Sequence, residues 1–276
     1  MPEITAGLIV IVMGAGAVAG CLGALLGLGG GVFLVPFVDL VLGFGWPAAR
    51  GISLMTVIAT SSVVAAGTAA RPLINMRLAM LLLIAASAGA LFGGITVVRL
   101  PESVLSAVFA TITGSIAVVT LTRLDRRNVI LDADVDPGRL GGRFHEHESG
   151  GDVVYRLKRW PVASLVSVAG GYISGILGIG GGILQVPVLN AWCGVPIRAA
   201  AATSAVMIGV TAAASAPIFY ARGDINPPLA AAAVVGVLGG SQIGFWLSGR
   251  TRARRLKLLM AAVLVLVSMT YFRRLL

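Results

Sequence analysis

Long apolar segments, separated by short polar links, run through almost the whole chain. Most of them contain about 18 residues or more with few or no charges, which is the length that a helix needs to cross a bilayer. Apolar residues occupy every side of these predicted helices, so they lack the amphipathic stripe of a soluble surface helix. The pattern therefore predicts an all-α polytopic membrane protein.

The sequence contains two copies of one pattern at a constant offset of 151 residues. Residues 20–36 align without a gap with residues 171–187, and the same offset pairs Arg71 with Arg222. Chance matches are frequent among alanine, glycine and leucine, but paired proline, arginine and asparagine residues at one offset are not. Internal repetition of this kind indicates a duplicated fold.

The duplication divides the chain into a first transmembrane repeat at 1–122, a polar linker at 123–159 and a second repeat at 160–276. Each repeat contains five apolar segments. They cover residues 4–26, 31–43, 47–70, 76–99 and 102–122 in the first repeat, and 161–178, 182–195, 198–221, 227–249 and 256–273 in the second. The second segment of each repeat is only about 13 residues long, too short for an easy upright crossing. It is either a tilted short span or a re-entrant half-helix.

The distribution of basic residues favours one of these two topologies. Arginine and lysine are concentrated in the linker 123–159 and in the link 250–257. Both should be cytoplasmic by the positive-inside rule, which places an even number of crossings between them. Five crossings per repeat satisfy this condition and make the two repeats inverted in an inner membrane. An eight-span topology with parallel repeats and re-entrant short segments stays open.

Composition and charge exclude several other classes of protein. Charged residues make up 12% of the chain, and the formal net charge of +10 comes from basic residues at the ends of spans, which does not indicate nucleic-acid binding. Cys21 and Cys193 lie inside apolar segments and His145 and His147 stand in the polar linker, so we expect no metal site and no cofactor. The spans carry no nucleophile–base–acid set, so we expect no enzymatic activity. Without a nucleotide-binding domain, transport would be coupled to a proton, another ion or the membrane potential.

A glycine-rich motif interrupts the first helix of each repeat and is followed by a proline. Successive glycines permit backbone angles that other residues resist, and irregular backbone at membrane depth is tolerated where it lines a site. A helix that starts after the glycines would direct its N–H groups at an anion without any buried cation. Close helix packing is the alternative. The predicted anion-binding glycines are Gly27, Gly29, Gly30, Gly31, Gly178, Gly180, Gly181 and Gly182.

Polar residues within the spans are further candidates for this site, since polar groups in lipid must face protein or water. Serine and threonine can also bond to their own helix, which is the alternative role. The candidate residues are Ser53, Thr60, Gln185, Thr203 and Ser204. Asp39 near the end of the short segment could carry a proton, although an interfacial aspartate is the simpler interpretation.

The links after the third segments carry an arginine and an asparagine in each repeat. Arg71 and Asn75 stand in the first, and Arg222 and Asn226 in the second. Because arginine can bind two oxygens of an anion at once, these residues could form a gate or entry site. Topological anchors at the membrane surface are the alternative.

These motifs resemble those of the sulfite exporter TauE/SafE family of membrane permeases. The resemblance rests on Gly27-x-Gly-Gly-Gly with Pro36, on its second copy with Pro187, and on the segments that contain Ser53 and Ser204. It implies a secondary transporter that moves sulfite or a related sulfur oxyanion or organosulfonate by alternating access. A membrane assembly protein without transport activity, or a transporter of another small solute, stays open, as does a homodimer.

Overall fold

A computed structural model of the chain describes residues 5–69, 73–122, 128, 130, 136–146 and 151–275. In these ranges the chain forms ten helices and one small β-hairpin. They are α1 (Ala6–Leu26), α2 (Gly31–Pro36, continued by a π-helical turn at Phe37–Val41), α3 (Gly45–Ala69), α4 (Met76–Thr96, continued by a 3-10 turn at Val97–Arg99), α5 (Glu102–Thr122), β1 (Gly142–Glu146), β2 (Gly151–Tyr155), α6 (Trp160–Leu177), α7 (Gly182–Ala191), α8 (Ile197–Ala221), α9 (Pro227–Arg250) and α10 (Ala253–Leu275).

Eight of the helices in the described ranges are long and apolar enough to cross a membrane, and α2 and α7 are shorter apolar helices. This confirms the predicted all-α polytopic membrane protein. Large apolar side chains such as Ile84, Leu165 and Val10 stand on the outside, where lipid would cover them. The ten helices also agree with the ten predicted segments.

Helix α1 packs in parallel against α9 through small residues. A Cβ atom on Gly16 would lie 2.5 Å from the carbonyl oxygen of Ala233, and one on Gly20 would lie 2.7 Å from that of Val237. The close approach of the two backbones needs glycine because any side chain would separate them. Contacts advance together along both helices, which shows that α1 and α9 run in the same direction.

Helices α4 and α6 repeat the same arrangement. Gly89 faces the backbone of Val168, and Gly93 faces that of Tyr172 further along. The fourth helix of each repeat therefore packs in parallel against the first helix of the other repeat. The two repeats interlock across this shared interface and do not form separate bundles.

The third helices, α3 and α8, cross at the centre in antiparallel orientation. The guanidinium of Arg50, near the start of α3, lies over the ring of Phe219, near the end of α8. At the other end of the contact, Ser61 of α3 donates a hydrogen bond to the carbonyl oxygen of Ala205. Helices α5 and α10 are also antiparallel, with a hydrogen bond from Ser268 to the carbonyl oxygen of Ala110.

Part of the central linker is folded, which its mixed charge and glycine content did not predict. Strands β1 and β2 form an antiparallel hairpin in which Gly142 pairs with Tyr155. The side chains of Phe144 and Val153 are buried in the main hydrophobic cluster of the protein. This hairpin covers the end of the helix bundle at which α3 meets α4.

Candidate functional site

Each of the two glycine motifs forms a turn between the first and second helix of its repeat. In the first turn Gly27, Gly29 and Gly30 all have positive φ angles, of 70°, 82° and 77°. In the second turn Gly178 and Gly180 have the same kind of backbone, with φ angles of 68° and 75°. Positive φ is easily adopted only by glycine, which explains why the two turns need this residue.

The second turn departs from the first at Gly181. Its φ and ψ angles are −68° and −4°, a right-handed conformation, whereas the equivalent Gly30 is left-handed. The two turns are therefore similar in sequence but not identical in shape. The backbone of the two turns is therefore asymmetric at this position.

The two turns touch each other at the centre of the protein. A Cβ atom on Gly182 would lie 2.8 Å from the carbonyl oxygen of Gly27, and one on Gly31 would lie 2.9 Å from the Cα of Ile179. Gly29 and Gly180 both face the side chains of Val57 and Ile208. The structure thus brings the glycines predicted for the anion site into one tightly packed cluster.

Ser53 and Thr60 of α3 lie beside this cluster. The hydroxyl of Ser53 donates a hydrogen bond of 2.8 Å to the carbonyl oxygen of Gly178, which belongs to the opposite repeat. Thr60 lies next to Gly30, with its Oγ1 3.4 Å from where a Cβ of that glycine would be, and donates to the carbonyl oxygen of Thr56 in its own helix. Both side chains are buried.

Gln185 and Ser204 form the polar pair next to the second turn. The hydroxyl of Ser204 donates to Oε1 of Gln185 at 3.0 Å. The Nε2 of Gln185 is buried and has no hydrogen-bond partner among the described residues, although it lies close to Gly181. A buried amide N–H without an acceptor is costly unless a ligand accepts its hydrogen bond. Gln185 is therefore an available donor at the glycine cluster.

Thr203 is buried but is engaged elsewhere. Its Oγ1 accepts a hydrogen bond of 3.0 Å from the backbone N–H of Asn75, at the start of α4. The residue next to it, Ser204, points to Gln185 instead. The structure thus separates Thr203 from the other predicted binding residues.

The residues predicted for a gate have varied surroundings, and Arg71 lies outside the described residues. Asn75 accepts a hydrogen bond from Leu78 N–H and so caps α4, and Asn226 caps α9 in the same way through Leu229 N–H. The asparagine match between the repeats therefore has a capping role, which its position directly before a predicted helix could have indicated. The Nε of Arg222 lies 4.0 Å from Oδ2 of Asp224.

The Asn75 side chain also joins the helix bundle to the central linker. Its Nδ2 donates to the carbonyl oxygens of Leu140 and Gly141 and lies 3.2 Å from the hydroxyl of Tyr155. Burial raises the pKa of Tyr155 above its ordinary value, the hydrogen bond with Asn75 lowering it in part. This hydroxyl therefore stays neutral and keeps its place in the network.

Sequence reasoning missed a buried cation beside the second turn. Arg50 is only 3% exposed, and its Nη2 lies 2.7 Å from Oδ2 of Asp224. A Cβ on Gly178 would lie 2.5 Å from the Cβ of Arg50, so the arginine is next to the turn. The expectation of an anion site without any buried cation is thus corrected. A charged residue inside an apolar segment was the available signal.

No group of three or more histidine, cysteine, aspartate or glutamate residues that could hold a metal ion occurs within the described part of the chain. His145 of β1 lies 3.0 Å from a carboxylate oxygen of Asp152 in β2, and both side chains are more than half exposed. This pair joins the two strands of the hairpin in the linker and lies apart from the glycine cluster.

Comparison with known proteins agrees with the helical architecture. The family described as "Sulfite exporter TauE/SafE" matches residues 12–271. The chain is 23% identical over 265 residues to the probable membrane transporter protein YunE of Bacillus subtilis, covering 94% of this chain and 95% of the relative. It is 24% identical over 263 residues to the probable membrane transporter protein MJ0441 of Methanocaldococcus jannaschii, covering 90% of each. No solved structure matches the chain. The chain belongs to the sulfite exporter TauE/SafE family of membrane transporters.

Proposed function

We propose that the protein is a secondary transporter that moves a small anion, most simply sulfite or a related sulfur oxyanion or organosulfonate, by alternating access. The observation that carries the proposal is the contact between the two glycine turns, one from each repeat, beside the Nε2 of Gln185, which has no hydrogen-bond partner among the described residues. Helices α2 and α7 both start at these turns. Their first N–H groups lack acceptors within the helix and would face a bound anion.

An anion is favoured over a cation by the hydrogen-bond donors near the turns. Arg50, which is ion-paired with Asp224, is buried beside Gly178, and the other polar side chains beside the turns are hydroxyls and an amide. Among the described residues, no cluster of carboxylates of the kind that binds a divalent cation lies near the turns. The sulfur anion itself is suggested by the family name.

The two repeats are proposed to be inverted, with ten crossings in total. Helix α1 is parallel to α9, and α9 follows α8 after a short link, so α1 and α8 run in opposite directions. Since α8 is antiparallel to α3, α1 and α3 point the same way, and residues 27–44 must return the chain across the membrane. Repeats of this type place a site at their interface near the middle of the bilayer.

This topology places both termini on one face and the central linker on the other. The linker and the α9–α10 link share a face and carry most of the basic residues, which supports a cytoplasmic location in an inner membrane. The proposal includes coupling to a proton or another ion and assembly as a homodimer.

Flux measurements in proteoliposomes test the function. Purified protein would be given sulfite, thiosulfate or methanesulfonate, and we expect saturable uptake for at least one of them. Gly182→Ala should abolish the flux because its Cβ would meet Ile208 and the Gly27 carbonyl. Gly14→Ala is the matched control, since a Cβ there meets nothing within 4 Å.

The outcomes separate transport from a purely structural role. Saturable flux in the wild type and in Gly14→Ala, lost in a folded Gly182→Ala protein, is the expected result. Absence of flux for all three anions in the wild type would contradict the anion-transport proposal and favour an assembly protein or a different solute. Full flux in Gly182→Ala would mean that the glycine turns serve packing only.

A further inference from the structure

Arg50, Asp224 and Arg222 form a charged cluster at the end of the protein where α8 passes into α9. The Nη2 of Arg50 forms an ion pair with Oδ2 of Asp224 at 2.7 Å, and the Nε of Arg222 lies 4.0 Å from the same carboxylate oxygen. Glu102 also acts electrostatically on Arg50, so two cations face two carboxylates and the charges balance. What the cluster offers an anion is therefore the N–H donors of its arginines and not an excess of positive charge.

The guanidinium of Arg50 retains a donor that the protein does not use. Its Nη2 is bound to Asp224, but its Nε is buried without a hydrogen-bond partner among the described residues. An arginine can offer two parallel N–H groups to the oxygens of an oxyanion. A buried donor with no acceptor is retained at a cost, and an anion would remove this cost.

Arg198 provides a comparable group at the opposite end of the α3–α8 pair. It stands in the first turn of α8, its Nη2 donates at 2.8 Å to the carbonyl oxygen of Thr251, and its Nε is also buried without a partner in the described part of the chain. With Leu25, Leu26 and Ala201, it lines a cavity of about 10 Å³, roughly the space of one water.

The two arginines occupy related places although the repeat offset does not align them. The offset pairs Arg50 with Ala201 and Arg198 with Pro47. Arg198 precedes Ala201 by three residues, so both lie on the same face of α8. Ala201 packs on Gly27 of the first turn, just as Arg50 packs on Gly178 of the second. Each glycine turn thus has one arginine on the adjoining third helix.

We propose that Arg50 and Arg198 are the two residues that receive the transported anion, each on its own face of the membrane. Arg50, with Arg222, serves the face of the α8–α9 link, and Arg198 serves the face of the central linker. The assignment follows from the antiparallel arrangement of α3 and α8, which puts the two side chains at opposite ends. It rests on the proposed transport function and adds the residues that bind substrate on each side.

Sided transport kinetics in oriented vesicles test this assignment. Arg50→Gln would leave Asp224 with only the more distant Arg222, so the first variant combines Arg50→Gln with Asp224→Asn. The second variant is Arg198→Gln. We expect the half-saturation concentration to rise about tenfold only on the face of the altered arginine, because the anion loses one charged hydrogen bond there. The matched controls are Arg99→Gln and Arg77→Gln, exposed arginines on the same two faces, which should leave both half-saturation values unchanged.

A role confined to stability would not change affinity on one face alone. Unchanged half-saturation values in both variants, or equal changes on both faces, would overturn the assignment. Thermal stabilisation of detergent-purified protein by sulfite, thiosulfate or methanesulfonate is measured in parallel. If an anion stabilises the wild type but not the arginine variants, and no flux is measured, transport is contradicted. The arginines would then still be anion ligands. Neither flux nor stabilisation in the wild type would overturn both proposals.

Discussion

Ser53 of the first repeat donates a hydrogen bond of 2.8 Å to the carbonyl oxygen of Gly178 in the second repeat. The two residues are separated by 125 positions in the chain, and both are buried. The glycine turn has a non-helical backbone, so its carbonyl oxygens need partners from outside the helix. Ser53 therefore connects the third helix of one repeat to the broken helix of the other.

Replacing Ser53 by alanine should weaken this connection. The Gly178 carbonyl would lose its side-chain donor at a buried position, and we expect a loss of about 1 kcal/mol of stability together with reduced anion flux. Thermal unfolding in detergent and flux in proteoliposomes measure the two effects. Ser62→Ala is the control, because Ser62 is exposed and bonds only to Ile58 of its own helix. Equal behaviour of the two variants would contradict the role of Ser53.

Gln185→Leu should separate binding from stability. The substitution removes the buried Nε2, which has no partner among the described residues, but it also removes the Oε1 that accepts a hydrogen bond from Ser204. These two effects oppose each other, so we expect stability to change by about 1 kcal/mol or less. The new side chain is the one that stands at the equivalent position of the first repeat, Leu34. The anion would lose a donor, and we expect the half-saturation concentration to rise about tenfold. Unfolding temperature and sulfite uptake are the measurements. A large loss of stability with unaltered uptake would show that Gln185 is a structural residue.

The close contact between α1 and α9 predicts that alanine substitutions at two neighbouring glycines have unequal effects on stability. A Cβ on Gly240 would lie 1.8 Å from the carbonyl oxygen of Ala17, whereas one on Gly239 meets nothing within 4 Å. Gly240→Ala must separate the helices and should cost about 1–3 kcal/mol or more. Gly239→Ala should have no effect. Thermal unfolding of both variants tests the interface, and similar unfolding temperatures would mean that the two helices do not pack this closely.

Labelling of single cysteines can decide between the inverted and parallel topologies. With the two native cysteines replaced, Arg139→Cys in the linker and Arg252→Cys in the α9–α10 link would be treated with a membrane-impermeant maleimide. In the ten-crossing topology both react from the cytoplasmic face, and Ser103→Cys at the start of α5 reacts from outside. All three positions are exposed. Reaction of Arg139→Cys and Arg252→Cys from opposite faces would instead support eight crossings with parallel repeats.

The positions of the helices could be predicted because a bilayer restricts the backbone conformations that the chain can adopt. A backbone in lipid must satisfy its hydrogen bonds within a helix, so apolar length directly indicates α1 and the other spans. The two glycine turns were also predictable, since successive glycines permit backbone angles that other residues resist and so interrupt such a helix. Their similarity at one offset indicated the duplication as well.

The roles of individual polar residues were harder to predict from the sequence. Asn75 and Asn226 were grouped with the arginines as gate residues, yet each caps the helix that follows it. Thr203 was grouped with Ser204, yet it faces Asn75 and not the glycine cluster. Side chains one residue apart on a helix point in different directions, and which direction meets the cluster depends on how that helix is packed.

The sequence by itself determined the apolar helices, their duplication and the two places where a helix must break, because these depend on local backbone chemistry in lipid. Only the tertiary structure decided which groups meet at the breaks. The pairing of Arg50 with Asp224 joins residues 174 positions apart, and no local pattern encodes it. Such contacts between repeats arise from the packing of α3 against α8, where glycine and small residues set how closely the backbones approach.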